Sequence, residues 1–84
     1  MKLRKKKFVE LNTLKGIIRE KGSTYRKLAM KTTMEEPTFS NKMNGFSSFT
    51  AAEMDILIEE LDIRCDDIGY VFFPHRQTKT RRVL

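Results

Sequence analysis

Few of the 84 side chains are of a type that makes or breaks bonds, and those few lack partners at a useful spacing. Cys65 is the sole cysteine and His75 the sole histidine, so the chain holds no disulfide pair and no zinc-finger set of ligands. With no base beside it, Cys65 reads as a small buried filler rather than a nucleophile. Asp55, Glu59, Glu60 and Asp62 recur at helical spacing on a solvated face, not as the convergent oxygen set that a metal requires. No nucleophile, base and orienting group come together, so the expectation is a non-enzyme with no metal, no cofactor and no small-molecule substrate.

What remains is the non-covalent chemistry of charge and polar groups. The net charge is +6, but its distribution says more: residues 1–31 carry +9, residues 32–74 carry −7, and residues 75–84 carry +4. Such polarity orients a molecule on a polyanion, because the acidic side is repelled. The positive end begins with Lys2, Arg4, Lys5, Lys6 and Lys7, too poor in apolar residues to fold alone. This segment is either a solubilising leader or an arm that lies along phosphates and orders on binding. No apolar run approaches the ~18 residues of a membrane span, and no apolar core follows the basic start as in a signal peptide, so a cytoplasmic protein without a membrane partner is expected.

The elements that must position these groups are helices. Leu14, Ile17 and Ile18 have helical spacing in a segment that Asn12 caps and Gly22 stops, with Gly16 as a point of close approach. Ser23 and Thr24 cap a second helix carrying Leu28 and Ala29, the latter small enough for another helix to cross nearby. A third runs from about Glu35 to Asn44 with Pro37 in its first turn and Gly45 as its stop. Phe39 and Met43 form its inner stripe, and Thr38, Asn41 and Lys42 fall on a more polar stripe beside it. Beyond a loop over 46–49, Thr50 and Glu53 have capping-box spacing, and Met54, Leu57, Ile58 and Leu61 follow at i, i+3, i+4 and i+7. A last short helix over about 65–72 puts Ile68, Val71 and Phe72 on one face, with Phe73 beside them before Pro74 breaks the chain. These four either close the core or contribute to a dimer contact, or both. The tail from His75 to Leu84, with Arg76, Lys79, Arg81 and Arg82, is either frayed or a strand added between subunits.

The Leu-Ala pair at 28–29, the Thr-Phe-Ser run at 38–40 and Asn44-Gly45, at this spacing, resemble the lambda-repressor-like helix-turn-helix family of phage repressors and Cro proteins. The sequence departs from that family's pattern at Thr33, where a glycine is usual, and at Lys42, where an aliphatic residue usually packs inward. The resemblance implies a compact all-α bundle of four to five helices: a flexible arm over 1–9, a DNA-binding domain over 10–74 and a tail over 75–84. It further implies sequence-specific binding of double-stranded DNA as a homodimer on a pseudo-palindrome, for transcription control. By position in the motif, Glu36, Pro37 and Asn41 match base-reading places, with Thr38 beside them. Asn suits adenine, while Thr38 suits a thymine methyl or a phosphate. Thr24, Tyr25 and Asn44 match phosphate-holding places, and Lys27, Lys31, Lys42 and the arm would add non-specific affinity. The alternative is a helix-turn-helix scaffold of the antitoxin or anti-repressor type, in which the acidic helix at Glu53 to Asp62 docks a basic protein. No stacking motif of the RNA-binding kind is present.

Overall fold

The computed structural model describes residues 7–77, and among them every regular element is helical. Helices α1 (Asn12–Glu20), α2 (Tyr25–Lys31), α3 (Glu36–Met43) and α4 (Ala51–Leu61) are followed by a 3-10 turn at Cys65–Asp67, α5 (Ile68–Phe72) and a short α6 (Pro74–Gln77). None is long and apolar enough to cross a membrane.

Leu14 and Ile18 of α1, Leu28 and Ala29 of α2, Phe39 and Met43 of α3, Leu57 and Leu61 of α4, and Val71 and Phe72 of α5 converge on one core. Burying a side chain of this size is worth roughly 1.5–3 kcal/mol, so these positions dominate stability. A row of aromatic contacts threads the core: Tyr25 to Phe39 at 5.3 Å between ring centres, Phe39 to Phe49 at 5.3 Å, and Phe49 to Phe72 at 6.5 Å. Phe49 comes from the loop before α4, where no periodicity marks it as internal, yet it is buried.

The helix ends show how local sequence sets the geometry. Leu11, not Asn12, is the residue at the cap of α1; its amide donates to the Met43 carbonyl at 3.0 Å and ties the start of α1 to the end of α3. Thr24 caps α2, its Oγ1 accepting from the Lys27 amide at 3.1 Å. In the turn between α2 and α3, the buried Thr32 donates its hydroxyl to the Leu28 carbonyl at 2.8 Å. Thr33 then takes φ +55°, a left-handed conformation that a β-branched residue adopts only under strain. That turn sends the Met34 amide back to the Ala29 carbonyl at 2.9 Å and aims α3 across α2. At α4 the capping box forms in both directions, Thr50 Oγ1 accepting from the Glu53 amide and Glu53 Oε1 from the Thr50 amide.

Several expectations are corrected. Cys65 is exposed, because the 3-10 turn that carries it lies outside the core. Val71 and Phe72 are enclosed by the core and so are not available for a dimer contact, whereas Phe73 is 42% exposed. Pro74 ends α5 but also begins α6, occupying a first-turn position that needs no amide hydrogen. His75 therefore stands in a helical turn rather than in a frayed tail or a strand, and residues 78–84 lie outside the described part. Gly16 faces open space rather than a neighbour. Lys7 and Phe8 already belong to the folded body, their amides both donating to the Gly45 carbonyl at 3.1 and 2.9 Å. Lys2, Arg4, Lys5 and Lys6 lie outside the described residues.

Candidate nucleic-acid interface

Helices α2 and α3, joined by the four residues 32–35, form a helix-turn-helix unit whose second member has one buried and one exposed side. Phe39 and Met43 are fully enclosed. Because the helical repeat is 3.6 residues, their burial turns Pro37 and Thr38 outward, and both are exposed; Glu36 lies on the face of Phe39 and Met43 and is exposed because it stands in the first turn. Asn41 is half-buried on the same side, in the middle of α3. The outer surface of α3 thus offers an apolar ring, a hydroxyl and an amide, with the acid of Glu36 at the start of the helix.

Around this stripe, Thr24 and Lys27 are exposed at the start of α2. Lys31 is exposed at its end, 3.8 Å from Glu60, a separation at which a surface pair contributes little. Tyr25 is half-buried, its ring packed on Phe39, so it is tied to the core as much as to the surface. Asn44 approaches Ser40 Oγ at 3.4 Å at the end of α3.

Lys42 departs from the expectation that it contributes to a phosphate-facing surface. Its Nζ lies 2.7 Å from Glu53 Oε1, with only 14% of the lysine side chain and 20% of the glutamate exposed. The ammonium also sits 5.8 Å from the centre of the Phe49 ring. Burial raises the Glu53 carboxyl, but the Lys42 hydrogen bond, the Thr50 amide and the Lys42 charge together outweigh it and hold the group below its ordinary value. Where an aliphatic residue would pack inward, the lysine stem does so and its charge is neutralised at the start of α4.

Arg19 was not among the expected site residues. The last turn of α1 places it with Lys15, Ser23, Thr24 and Tyr25 around a cleft of about 270 Å³. A basic residue in the last turn of a helix followed by a Ser-Thr cap was the available signal. Lys15 in this cleft is already paired with Glu10 at 2.8 Å. The described body is almost neutral: residues 7–77 contain ten Lys or Arg against eleven Asp or Glu, so the surplus of positive charge lies in the two terminal segments. Among the described residues no group of His, Cys, Asp and Glu is arranged to hold a metal ion.

The fold and this surface define a small all-helical protein built around a helix-turn-helix unit. No protein-family model and no curated protein matches the chain. Among solved structures it is similar to the modulator of repression (MOR) of the temperate bacteriophage TP901-1 from Lactococcus lactis, seen in solution, with 27% identity and a TM-score of 0.63. The match covers 80% of this chain and 90% of that one.

Proposed function

We propose that this chain is a phage-type regulator of transcription, lambda-repressor-like in its use of α3, that binds double-stranded DNA with sequence preference. The observation that carries the reading is the division of α3 into a fully buried side at Phe39 and Met43 and an exposed side at Pro37 and Thr38, with Asn41 half-buried on that side and Glu36 exposed in the first turn. A helix held in this way projects its N-terminal half into a major groove. Asn41 reads an adenine, Thr38 meets a thymine methyl or a phosphate, and Pro37 makes apolar contact. Glu36 accepts from a cytosine amino group. Thr24, Tyr25, Lys27, Lys31, Asn44 and Arg19 fix register on phosphates, while the basic segments over 1–9 and 75–84 supply salt-sensitive affinity. Lys42 is left out of this set because its charge is committed to Glu53. A single such helix reads a short half-site, so the protein acts as a homodimer on a pseudo-palindrome, with Ile68 and the exposed Tyr70 as the α5 surface available for the contact. The similarity to a phage modulator of repression agrees with a regulatory role.

Selection from a pool of random duplexes tests the proposal and should return one enriched motif with two-fold symmetry. Asn41→Ala should then cost about 1–3 kcal/mol of discrimination at one base pair and relax the preference there, read by titration against the selected site and its single-base variants. Retention indifferent to sequence would overturn the reading.

One observation favours a second reading, in which repression is modulated through protein contact in the manner of an antitoxin or anti-repressor. Glu35 and Glu36 are both exposed at the start of α3, and the body behind them carries no positive surplus. Under that reading, α3 and the acidic α4 face a basic partner, and a stoichiometric complex forms while duplex retardation is absent.

A further inference from the structure

Thr33, in the turn between α2 and α3, holds a backbone conformation that its side chain disfavours. Its φ of +55° is left-handed, and among the described residues Asp62, at φ +53°, is the other non-glycine in that region. The two are not alike. An Asp is tolerated there because its short side chain hydrogen-bonds locally, whereas a branched Cβ crowds the neighbouring backbone. Such strain persists where the surroundings fix the conformation, and it collects where geometry matters to function. We propose that Thr33 is a positioning residue: it confines the angle of α3 on α2, and so sets the direction in which Pro37, Thr38 and Asn41 are presented, at a cost in stability. The assignment rests on the reading of α3 as the helix that meets a duplex.

Hydroxyls fix this turn as well as the main chain. The buried Thr32 donates its hydroxyl to the Leu28 carbonyl at 2.8 Å and shares it with that of Ala29 at 3.2 Å. Thr33 Oγ1 donates to the Thr32 carbonyl at 2.7 Å, and the Thr33 amide donates to the Met30 carbonyl at 3.2 Å. The Met34 amide then closes the turn on the Ala29 carbonyl at 2.9 Å, while the Met34 side chain packs against the core. These contacts over-determine residues 32–34, so the strain at Thr33 is retained rather than relaxed. They control the end of α3 that has the fewest other fastenings. The far end is held by the enclosed Met43, by the Leu11 amide on the Met43 carbonyl and by the Lys42 pair with Glu53, whereas Pro37 and Thr38 stand exposed. Thr33→Gly would relieve the strain, but glycine reaches a far wider range of φ and ψ, and α3 would swing about the turn. A branched residue confined to the small left-handed region does not allow that swing.

The test compares the full chain with Thr33→Gly and with Thr33→Asn, the second because asparagine keeps a Cβ yet enters the left-handed region readily. Both substitutions should raise the melting temperature. In the free wild-type chain, ¹⁵N relaxation should give order parameters of about 0.85 at Met34 and Glu35, the value of rigid backbone. Thr33→Asn should keep them there, and Thr33→Gly should lower them. On the duplex recovered by selection, Thr33→Gly should bind roughly two- to fivefold more weakly, the factor to which the added backbone freedom of glycine corresponds. Its affinity for an unrelated duplex, which phosphate contacts supply, should be unchanged, and Thr33→Asn should recover the wild-type ratio of the two affinities. A residue that served stability alone would not separate these affinities while the melting temperature rises. A lower melting temperature for Thr33→Gly, order parameters unmoved by it, or an unchanged ratio of affinities would each overturn the proposal. If the wild type itself prefers no duplex, the reading of α3 fails and the discrimination assigned to Thr33 fails with it. Preference in the wild type that survives intact in Thr33→Gly removes the assignment alone.

Discussion

The pairing of Lys42 with Glu53 yields a prediction with a definite size. The contact is 2.7 Å long between side chains that are 14% and 20% exposed, and Glu53 Oε1 also accepts from the Thr50 amide at 2.9 Å. A charge-assisted bond in a partly desolvated site is worth about 1.5–3 kcal/mol, more than an exposed pair. Lys42→Met keeps the apolar stem against Phe49 and removes the charge, and Glu53→Gln keeps the shape and a carbonyl oxygen for Thr50. Each single change should therefore destabilise the fold by roughly 1–2 kcal/mol in urea titrations, and the double change should cost less than the sum by about 1 kcal/mol. In thermal melts each kcal/mol corresponds to about 4–8 °C for a domain of this size. Because the Glu53 carboxyl in the folded chain lies below its ordinary value of 4.5, its stabilising contribution is fully present above that value and is lost as pH falls through the lower, folded-state value. The gap between wild type and Glu53→Gln should thus stay constant through neutral pH and close only below 4.5. Single effects that add to within about 0.5 kcal/mol would refute the pairing. A fall of about 0.9 in the salt slope of duplex binding for Lys42→Met would refute its consequence, returning this lysine to the phosphate surface.

Three backbone positions give sharp expectations of their own, each read by denaturant titration. Thr33→Gly relieves the strain of φ +55° and should stabilise by roughly 0.5–1 kcal/mol after the entropy cost of glycine is set against it. Gly45→Ala should destabilise by about 2 kcal/mol or more, since a Cβ there would lie 2.7 Å from the Phe8 carbonyl oxygen at a φ of +93°; the Lys7 and Phe8 amides should also exchange faster with solvent. Gly16→Ala meets nothing within 4 Å and should stabilise by up to about 1 kcal/mol through helix propensity alone.

The parts of this molecule that were legible in its sequence are those set by short-range physics. The spacing of Thr50 and Glu53 announced the start of α4, the Phe39 and Met43 repeat fixed which side of α3 is buried, and Gly22 and Gly45 marked helix stops that both take positive φ. Thr33 was legible as a departure, and its left-handed φ follows from the turn and not from the residue. What the sequence hid depends on segments far apart in the chain. Phe49 is buried because α3 and α5 bring Phe39 and Phe72 to either side of it, and no local period reports that. The partner of Lys42 lies eleven residues on, across a loop, so a lysine on the polar flank of α3 read as a surface charge. Asp62 ends α4 with φ +53°, a place where glycine is the usual signal. The exposure of Cys65 likewise reflects where a 3-10 turn happens to lie against the body, which a rule based on residue type does not capture.

The two ends of α3 have different tasks, and the charges follow that division. Its C-terminal half is structural: Met43 is enclosed, its carbonyl receives the Leu11 amide, and Lys42 is fastened to α4. The Gly45 carbonyl, one residue beyond the helix cap, receives the chain at Lys7 and so fixes the point from which the basic N-terminal segment departs. Its N-terminal half has no such attachments from Glu36 to Thr38, and it carries the carboxylates of Glu35 and Glu36. Lys7 therefore stands at one end of the helix and the carboxylates of Glu35 and Glu36 at the other. Under the DNA-binding reading, a polyanion lying along α3 is drawn toward the Lys7 end and held off at the Glu36 end, which favours one direction for the helix in a groove before any base is read. With the body from 7 to 77 close to neutral, little of that pull comes from the helices themselves. Under the DNA-binding reading, α3 contributes discrimination and the terminal segments contribute affinity, so the two properties are separable by truncation in a way that a uniformly basic helix-turn-helix would not allow.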